Sequence, residues 1–410
     1  MSLSTELSGV HAAQTDIDTI GNNISNVNTT GFKNSSADFS ALYGSAVPTA
    51  PGQGVATQSL AQSFTEGTIS LTGNPLDVAI NGNGFFQVQN GSGTAYSRDG
   101  SLHLDNNGHL ATTTGALVMG FSAPASGSAG ASSGALQPIQ IAQADIAPAA
   151  TSALTMDVNL PANDGPIDST ANPFSPSNPK SYNESTTTTV YDSLGTSRTL
   201  TTFFTQVSGS GSPDQWQTNW ELSDTSGSVI ASGAGPTLTF NSSGELVSGN
   251  GTITVNSLPN GAAPLSIAEN FTGSTLSGLS FGVSSVTNNG SGGGQLAGVQ
   301  IATNGVVSGQ YSNGATRVFG TIALANFVDP QGLIPISDNL WTASAASGPA
   351  ATGAPGTAGL GQLESGALEG SNVDLSSQLV NLIVAQQAYQ ANVQSINVEQ
   401  QNFQRLVTIQ

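Results

Sequence analysis

The chain contains no cysteine and very little positive charge. Its 410 residues include 6 Lys and Arg against 25 Asp and Glu, which gives a formal net charge of −19. Without cysteine the chain can form neither a disulfide nor a thiolate metal site. Binding to nucleic acid or to an anionic membrane surface depends on Lys and Arg, so the charge argues against both kinds of partner. Polarity comes instead from Ser, Thr, Asn, Gln and 50 Gly, which suits short strands and tight turns.

Two further absences concern location. The first residues, MSLSTELSGVHAAQ, have neither a basic n-region nor an apolar h-region, so we predict that there is no cleaved signal peptide. No window approaches the ~20 apolar residues that a membrane span requires. A protein of this kind that leaves the cell must use a route without a cleaved signal, and an extracellular location stays open.

The N-terminus carries an apolar heptad pattern that runs into a cluster of asparagines. The pattern predicts a helix about 40 Å long at ~1.5 Å per residue. Asparagine side chains can end this helix and hydrogen-bond its exposed backbone groups, and the glycine that follows permits a sharp turn. The aromatic residue after that glycine either anchors the next segment on a neighbouring molecule or packs within its own chain. The candidate assembly residues are Leu3, Val10, Ile17, Ile20, Ile24 and Val27 on the seam, and Asn22, Asn23, Asn26, Asn28, Gly31 and Phe32 after it.

The C-terminus repeats the heptad pattern over about 50 Å, with Asp374 placed to cap the first turn. One heptad row is wholly apolar, but Gln386 and Gln400 interrupt the second and would weaken a simple two-stranded coil. Unpartnered helices of this length are marginal in water, so we expect both ends to be poorly ordered in the free monomer. The candidate assembly residues are Leu375, Leu382, Tyr389, Ile396 and Phe403 in the first row, and Leu379 and Val393 in the second.

The interior predicts strands and turns and no other long helix. The first block, residues 76–112, alternates apolar and polar residues around Asn-Gly and Asp-Gly turns. A second block begins at residues 185–207 with a hairpin across Leu194-Gly195, and a third covers residues 316–329. Low-complexity stretches separate the blocks, and residues 161–180 carry five prolines, which excludes a regular element of any length. The low-complexity stretches are residues 122–136, 288–294 and 343–361.

Signals of an enzyme or a metal site are weak. GASSG at 130–134 and GLSFG at 278–282 match G-x-S-x-G, but neither has the strand-to-helix context of a nucleophile elbow. In HLDNNGH the side chains of His103, Asp105 and His109 lie close in sequence. Turn chemistry favours a solvated hairpin around Asn107-Gly108 over a metal site there. We predict no catalytic, cofactor or metal site.

Three stretches resemble one family, the bacterial flagellar rod and hook proteins. IGNNISNVNTTGFK resembles their N-terminal signature, and GNPLDVAINGNGFFQV with YSRDGSLHLDNNGHL is similar to the β segment that follows it. LEGSNVDLSSQLVNLIVAQQAYQANVQSI resembles their C-terminal helix signature. The inserted block near TTVYDSLGTSRTLTTFF and the stretch GTIALANFVDPQGLIPISDNLW point to the hook branch of the family.

The resemblance implies a multidomain α+β fold with two nested, mainly antiparallel β domains. The terminal helices would pair into a coiled-coil-like inner domain. It implies a structural subunit, not an enzyme, that polymerises into a curved hollow helical tube, the universal joint that passes torque from rod to filament. The implied domains are an inner one (1–30 plus 372–410), a connecting strap (31–72 plus 361–371), a middle β domain (73–145 plus 286–360) and an outer β domain (146–285).

The resemblance also implies partners and a location. The subunit would be exported by the flagellar type III apparatus and would lie outside the cell in the hook, attached to the basal body. Besides copies of itself it would meet the distal rod, hook cap, hook–filament junction and hook-length control proteins. Two alternatives stay open: a distal rod-type axial protein, and a secreted acidic β-rich binding module or adhesin. A binding module has no need for two terminal heptad seams, and it would stay monodisperse on concentration.

Overall fold

The computed structural model describes residues 3–42, 52–91, 93–123, 135–142, 144–208 and 214–408, with side chains from residue 4 to residue 405 of these ranges. The chain divides into two compact units. Unit 1 comprises residues 1–143, 298–310 and 316–410, and unit 2 comprises residues 144–297 and 311–315.

The elements follow the chain from unit 1 into unit 2 and back. Before unit 2 they are α1 Leu3–Ser25, β1 Ser35–Ala41, β2 Val55–Gln62, β3 Ile69–Leu71, β4 Val78–Asn81, β5 Phe85–Asn90, β6 Gly93–Ser97, β7 Leu102–Leu104, β8 Leu110–Thr112, β9 Leu117–Ser122 and β10 Leu136–Pro138. Within unit 2 they are β11 Ala153–Pro161, β12 Glu184–Tyr191, β13 Ser197–Ser208, β14 Asp214–Ser223, β15 Val229–Phe240, β16 Leu246–Ser248, β17 Gly251–Val255, β18 Leu265–Asn270, β19 Thr275–Ser277 and β20 Gly282–Asn288. The last are β21 Leu296–Ile301, β22 Val306–Tyr311, β23 Thr316–Ile322, β24 Leu324–Asn326, a 3-10 turn Pro330–Gly332, β25 Ile334–Ile336, β26 Leu340–Thr342, β27 Ala351–Gly353, β28 Gln362–Ser365, β29 Ala367–Glu369 and α2 Leu375–Thr408.

Both terminal helices form as the heptad patterns predict, and they contact each other in unit 1. The pair is antiparallel, since Asn392 lies beside Gly9 and Gln378 lies beside Asn23. The carboxylate of Asp374 accepts a hydrogen bond from the backbone N–H of Ser377, as predicted for the cap of α2. The antiparallel hairpin of β1 and β2 also packs against α1.

The β part of unit 1 is built around β5, which pairs with β6, β9 and β24. Its aromatic core joins Phe85, Tyr96, Phe327 and Trp341 by edge-to-face contacts with centroid separations of 4.8 to 6.1 Å. Segments near the two ends of the chain also pair: β28 with β4, and β29 with β3. The C-terminal strands therefore complete sheets that N-terminal strands begin.

Unit 2 consists of two five-stranded sheets that share one core. One sheet has the order β12-β13-β14-β15-β16, and the other has the order β17-β18-β11-β19 with β20 on β11. Large side chains from both sheets are fully buried in this core, among them Trp216, Phe204 and Phe271. The pairings are antiparallel except those of β11 with β18 and β19. The protein thus combines terminal helices with mainly antiparallel β-sheets.

Several local predictions are confirmed. β12 and β13 form the hairpin across Leu194-Gly195, and β7 and β8 form the one across Asn107-Gly108. No helix or strand lies between Pro161 and Glu184, within residues that are all described. Alternation is a poorer guide inside the sheets, because consecutive residues such as Val78, Ala79 and Ile80 are all fully buried. These residues lie on β4, and a strand that is covered on both faces loses the alternating pattern.

Candidate assembly surface and the junction beneath it

The contact between the two terminal helices depends on small and amide side chains. A Cβ atom at Gly9 would lie 3.0 Å from the side-chain amide of Asn392, so the helices approach closely there. Ala12, Ala13 and Ile20 of α1 are buried, as are Gln378 and Ala385 of α2. Small residues at a helix contact shorten the interaxial distance.

Only some residues of the predicted heptad rows are buried where α1 and α2 contact each other. In α1, Val10, Ile17, Ile24 and Val27 are half-buried beside the buried Ile20, while the side chain of Leu3 lies outside the described set. In α2, Leu382, Tyr389, Val393 and Ile396 are half-buried, and Leu375, Leu379 and Phe403 are exposed.

The second row of α2 needs a correction. Gln378, Ala385 and Asn392 accompany Leu382 and its heptad partners against α1, one position before the predicted row that begins at Leu379. Hydrophobicity suggested the other row, but close helix approach selects small and amide side chains. The consequence is that Leu379 points away from α1 and is 46% exposed.

An apolar face of α2 is therefore left uncovered. Leu379, Val380, Ile383 and Val384 are 46 to 61% exposed and lie on adjacent turns of the helix. The sequence from 375 to 398 contains no Asp, Glu, Lys or Arg, so no charge interrupts this face. We call these four residues the assembly face.

The C-terminal end of α2 extends beyond its partner. α2 has 34 residues and α1 has 23, so α2 is 11 residues longer. The antiparallel register aligns the start of α2 with the end of α1, which places the surplus at the C-terminus. Phe403 belongs to the row that faces α1, yet it is 68% exposed because the overhang has no α1 residue opposite it.

The asparagine cluster fastens the end of α1 to the segment that follows. Asn23 is 1% exposed, and its side-chain amide donates to the carbonyl of Ser35 at 2.7 Å and accepts from the same residue's N–H at 2.9 Å. The amide of Asn26 donates to the carbonyl of Asn22 at 3.0 Å. These two contacts confirm the predicted bonding of asparagine side chains to backbone, while Asn22 and Asn28 are exposed.

The predicted sharp turn lies at Gly31. Its φ of +67° belongs to the left-handed region, and a Cβ there would lie 2.7 Å from the backbone of Arg98. Phe32 is half-buried and lines a groove of about 1050 Å³. The groove is also lined by Asn22 and Asn26 of the signature.

Beneath this turn lies a buried ionic cluster that the sequence did not predict. Glu369 is fully buried, and its Oε1 lies 2.5 Å from Nζ of Lys33 while its Oε2 lies 3.1 Å from Nη1 of Arg98. The N–H of Gly67 donates to Oε1 at 2.9 Å. Lys33 also donates to the carbonyl of Thr65 at 2.7 Å. We call Lys33, Arg98 and Glu369 the ionic junction.

Burial and charge act in opposite directions on the lysine of this junction. Desolvation lowers the pKa of Lys33, and the neighbouring carboxylate of Glu369 raises it in part, while Arg98 lowers it further. The guanidinium of Arg98 gains additional partners, since Nη2 donates to the carbonyl of Gly82 at 2.8 Å. One carboxylate thus compensates two buried cations.

The residues considered for catalysis or metal binding form no such site. Asp105 accepts the backbone N–H groups of His109 and Asn107, which lower the pKa of its carboxyl as in an ordinary turn, and His103 is exposed. GLSFG lies between β19 and β20, so no helix follows it, and GASSG lies outside the described residues. Over the described ranges, no group of His, Asp and Glu side chains is arranged to hold a metal ion.

The sequence comparisons match profiles along most of this architecture. Residues 3–33 match "Flagella basal body rod protein", and 364–409 match "Flagellar basal body rod FlgEFG protein C-terminal". Residues 79–163 match "Flagellar hook protein FlgE/F/G D1 domain", and 159–291 match "Flagellar basal body protein FlaE D2 domain". The flagellar hook protein FlgE of Escherichia coli (strain K12) is 38% identical over 416 residues, with all of both chains covered. The chain belongs to the flagellar hook protein FlgE family.

More distant relatives agree with this assignment. FlgE of Brucella abortus is 31% identical and covers 95% of this chain and 94% of its own, and FlgE of Borreliella burgdorferi is 30% identical over 100% and 99%. The crystal structure of Helicobacter pylori FlgE2 has the same fold over 72% of this chain and 99% of its own, with a TM-score of 0.56 at 15% identity.

Family membership resolves the alternatives that the sequence left open. The chain is a structural subunit of the flagellar hook that polymerises there, and it is not an enzyme, a rod protein or a binding module. Neither helix, within the described residues, is long and apolar enough to cross a membrane. The functional surface is therefore one that meets other subunits.

Proposed function

We propose that this subunit assembles into a curved hollow tube through its terminal helices, and that the tube acts as a universal joint between rod and filament. The uncovered assembly face on α2 carries this proposal. Its four apolar residues remain exposed after the two helices of one chain have packed together. Membership of a polymerising family supports a second copy of the chain as the occupant of that face.

Burial of this face would favour the association of two copies. Burying an exposed Val, Leu or Ile side chain contributes roughly 1.5 to 3 kcal/mol, so four half-exposed residues contribute several kcal/mol per contact. Copies in a tube repeat this contact many times. No residue from 375 to 398 is charged, so two copies can meet at this face without bringing like charges into contact.

The overhang of α2 and the asparagine signature supply a second set of contacts. Phe403 lacks a partner within its own helix pair and would be buried by the next subunit. Phe32 and Asn22 line the groove along the end of α1, and Asn28 is exposed. With the seam residues of both helices they make up the proposed assembly element.

We further propose four domains. They are an inner coiled-coil-like domain (1–30 plus 372–410), a strap (31–72 plus 361–371), a middle β domain (73–145 plus 286–360) and an outer β domain (146–285). The outer domain is rich in Ser, Thr, Gly and Asn, which suits weak contacts that slide when the tube bends. Removing residues 146–285 should leave assembly competent but change curvature, and loss of all polymerisation would contradict this division.

The remaining partners follow from the family. The subunit would be exported without a cleaved signal by the flagellar type III apparatus and would lie outside the cell. In the hook it would meet the distal rod, hook cap, hook–filament junction and hook-length control proteins. The composition, poor in Lys and Arg, supports the absence of nucleic acid and of membrane insertion from this scheme.

Electron microscopy of the purified chain, concentrated in a sulfate salt that strengthens apolar burial, tests the proposal. Curved hollow tubes are expected from the native chain, and dispersed particles from a variant carrying Ile383→Ser and Val384→Ser. The matched control carries Gln387→Ser and Gln390→Ser, two exposed positions of the same helix, and should form tubes. Tubes from the first variant would reject the assembly face, straight tubes from the native chain would favour a rod-like component, and dispersed native protein under all conditions would reject self-assembly.

A further inference from the structure

The ionic junction lies where both terminal helices leave the β part of unit 1. α1 ends at Ser25 and α2 begins at Leu375, and the connecting segments run side by side between these points. The N–H of Gly31 donates to the carbonyl of Glu369 at 2.8 Å. Backbone contact between the two segments therefore passes directly through the glutamate of the junction.

A second contact between the same two segments lies at Asn372, three residues after Glu369. The N–H of Asn34 donates to Oδ1 of Asn372 at 2.8 Å, and Nδ2 of Asn372 donates to the carbonyl of Ser63 at 2.8 Å. The N–H of Asn372 also donates to the carbonyl of Phe32 at 3.4 Å, so Asn372 contacts the residues on both sides of Lys33. It carries no charge, however, and it makes no contact with Arg98 among the hydrogen bonds of the described residues.

Among the ion pairs of the described residues, those of Glu369 are the ones that join the strap to the β part. Lys33 belongs to the segment that leaves α1, whereas Arg98 follows β6 and is fixed by the carbonyl groups of Ile80 and Gly82. The two cations lie 336 and 271 residues from Glu369 in sequence. Removing the carboxylate leaves two like charges buried together with no other buried acid in contact with them among the described residues.

We propose that Glu369 is a positioning residue that fixes the helix pair on the β part of unit 1, so that force on the helices is passed to the β domains. The proposal rests on the torque-transmitting function above. Glu369 binds Lys33 in the segment that follows α1 and binds Arg98 in the β part. The buried carboxylate holds both, and a rotation of the helix pair about the connecting segments has to break at least one of these bonds.

The absence of cysteine allows a direct distance measurement. Gln394→Cys on α2 and Thr94→Cys on β6, both exposed, place spin labels on the helix pair and on the β part. Thr94→Cys with Gln310→Cys places both labels on the β part of unit 1. Each pair is introduced into the native chain, into Glu369→Gln and into Glu364→Gln, a half-buried glutamate on the preceding strand. Labelled subunits are measured by double electron–electron resonance in tubes made mostly of unlabelled native chain.

In the native chain and in Glu364→Gln, both label pairs should give a single narrow distance. In Glu369→Gln, the helix-to-β distance should lose its single peak while the distance within the β part keeps it. Failure of this variant to enter tubes, with an intact distance within the β part in solution, also supports the proposal. A narrow helix-to-β distance in Glu369→Gln would overturn it, and so would broadening of both distances, since that outcome assigns Glu369 to general stability. If the native chain forms no tubes, the proposed function fails, and the distances are then measured in solution. A helix-to-β distance that broadens only in Glu369→Gln supports the role of Glu369, and one that is equally broad in the native chain overturns it.

Discussion

Each of the two units buries a glutamate on a β-strand, and the surroundings of these two carboxylates are opposite. Glu369 in unit 1 is fully buried and contacts Lys33, Arg98 and the N–H of Gly67. Glu269 in unit 2 is 3% exposed, and neither of its carboxylate oxygens has a hydrogen-bond partner in the described part of the chain. It lies on β18, between β17 and β11.

The difference shows what a buried charge costs and what compensates it. Burial raises the pKa of Glu269 from 4.5 to about 7, with desolvation as the cause. Glu369 is equally buried but has two cations and a backbone donor to replace water. Unit 1 uses its carboxylate to join distant segments, whereas unit 2 carries one that lowers its stability whenever it is ionised.

The largest effect is expected at the paired site. Glu369→Gln should lower the free energy of unfolding of unit 1 by about 3 to 5 kcal/mol, because it leaves two buried cations uncompensated. Lys33→Met should lower it less, because Arg98 still pairs with Glu369 in that variant. The double variant should lose clearly less than the sum of the two, since its remaining cost is that of Arg98. Hydrogen exchange of β5 amides, read by mass spectrometry, measures unit 1 alone.

The same spectra contain the control. Amides of β14 report on unit 2 and should keep their protection in all three variants, as should β5 amides in Glu364→Gln. Additive losses in the double variant would mean that Lys33 and Glu369 do not act as a pair. The contrast between the two units would then rest on burial alone.

The opposite sign is expected at the unpaired site. Glu269→Gln should raise the free energy of unfolding of unit 2 at pH 8 by about 3 kcal/mol, the equivalent of a pKa shift from 4.5 to about 7 at 1.36 kcal/mol per unit. Hydrogen exchange of β14 amides measures it. Glu221→Gln, on a half-buried glutamate of β14, is the control and should change little. Destabilisation by Glu269→Gln would show that the carboxylate is compensated after all.

A pH series sharpens this result in the native chain. Because the folded-state pKa of Glu269 is raised, the folded state holds the proton more tightly than the unfolded state. Stability from this group is fully present below pH 4.5, falls by up to about 1.4 kcal/mol per pH unit as the pH rises, and is lost above about 7. Exchange of β14 amides in Glu269→Gln should lack this component of the slope. An unchanged slope would assign the pH dependence to other groups.

Much of the fold could be predicted because its signals are local. Heptad spacing placed both helices, and Asn-Gly and Leu-Gly dipeptides placed hairpins whose strands are neighbours in sequence. The helix pair was harder, since hydrophobicity favoured the row of Leu379 while close packing at Gly9 selected the row of Gln378. A pattern of apolar residues does not predict which helix face packs most closely on a small residue of the partner helix.

The ionic junction could not be predicted for a different reason. Lys33 and Glu369 each stand in a sequence stretch recognised as a signature, but 336 residues separate them and no local rule pairs them. Glu269 alternates with exposed residues on β18 and therefore reads as an inward-facing position. The charge of Glu269 argued against burial. The side chain is nevertheless buried, because its position on the strand faces the core.

The smallest effect is expected where a buried polar group is neutral and satisfied. Asn23→Ala removes two hydrogen bonds to Ser35 that join the end of α1 to β1, and should cost about 1 to 3 kcal/mol at a typical 0.5 to 1.5 kcal/mol per bond. Asn22→Ala, on an exposed side chain of the same signature, should change the stability very little. Exchange of β1 and α1 amides distinguishes the two. Because neither variant leaves a charge behind, a loss at Asn23 as large as that at Glu369 would mean that connecting the helix to the strap, and not compensating charge, dominates the stability of the junction.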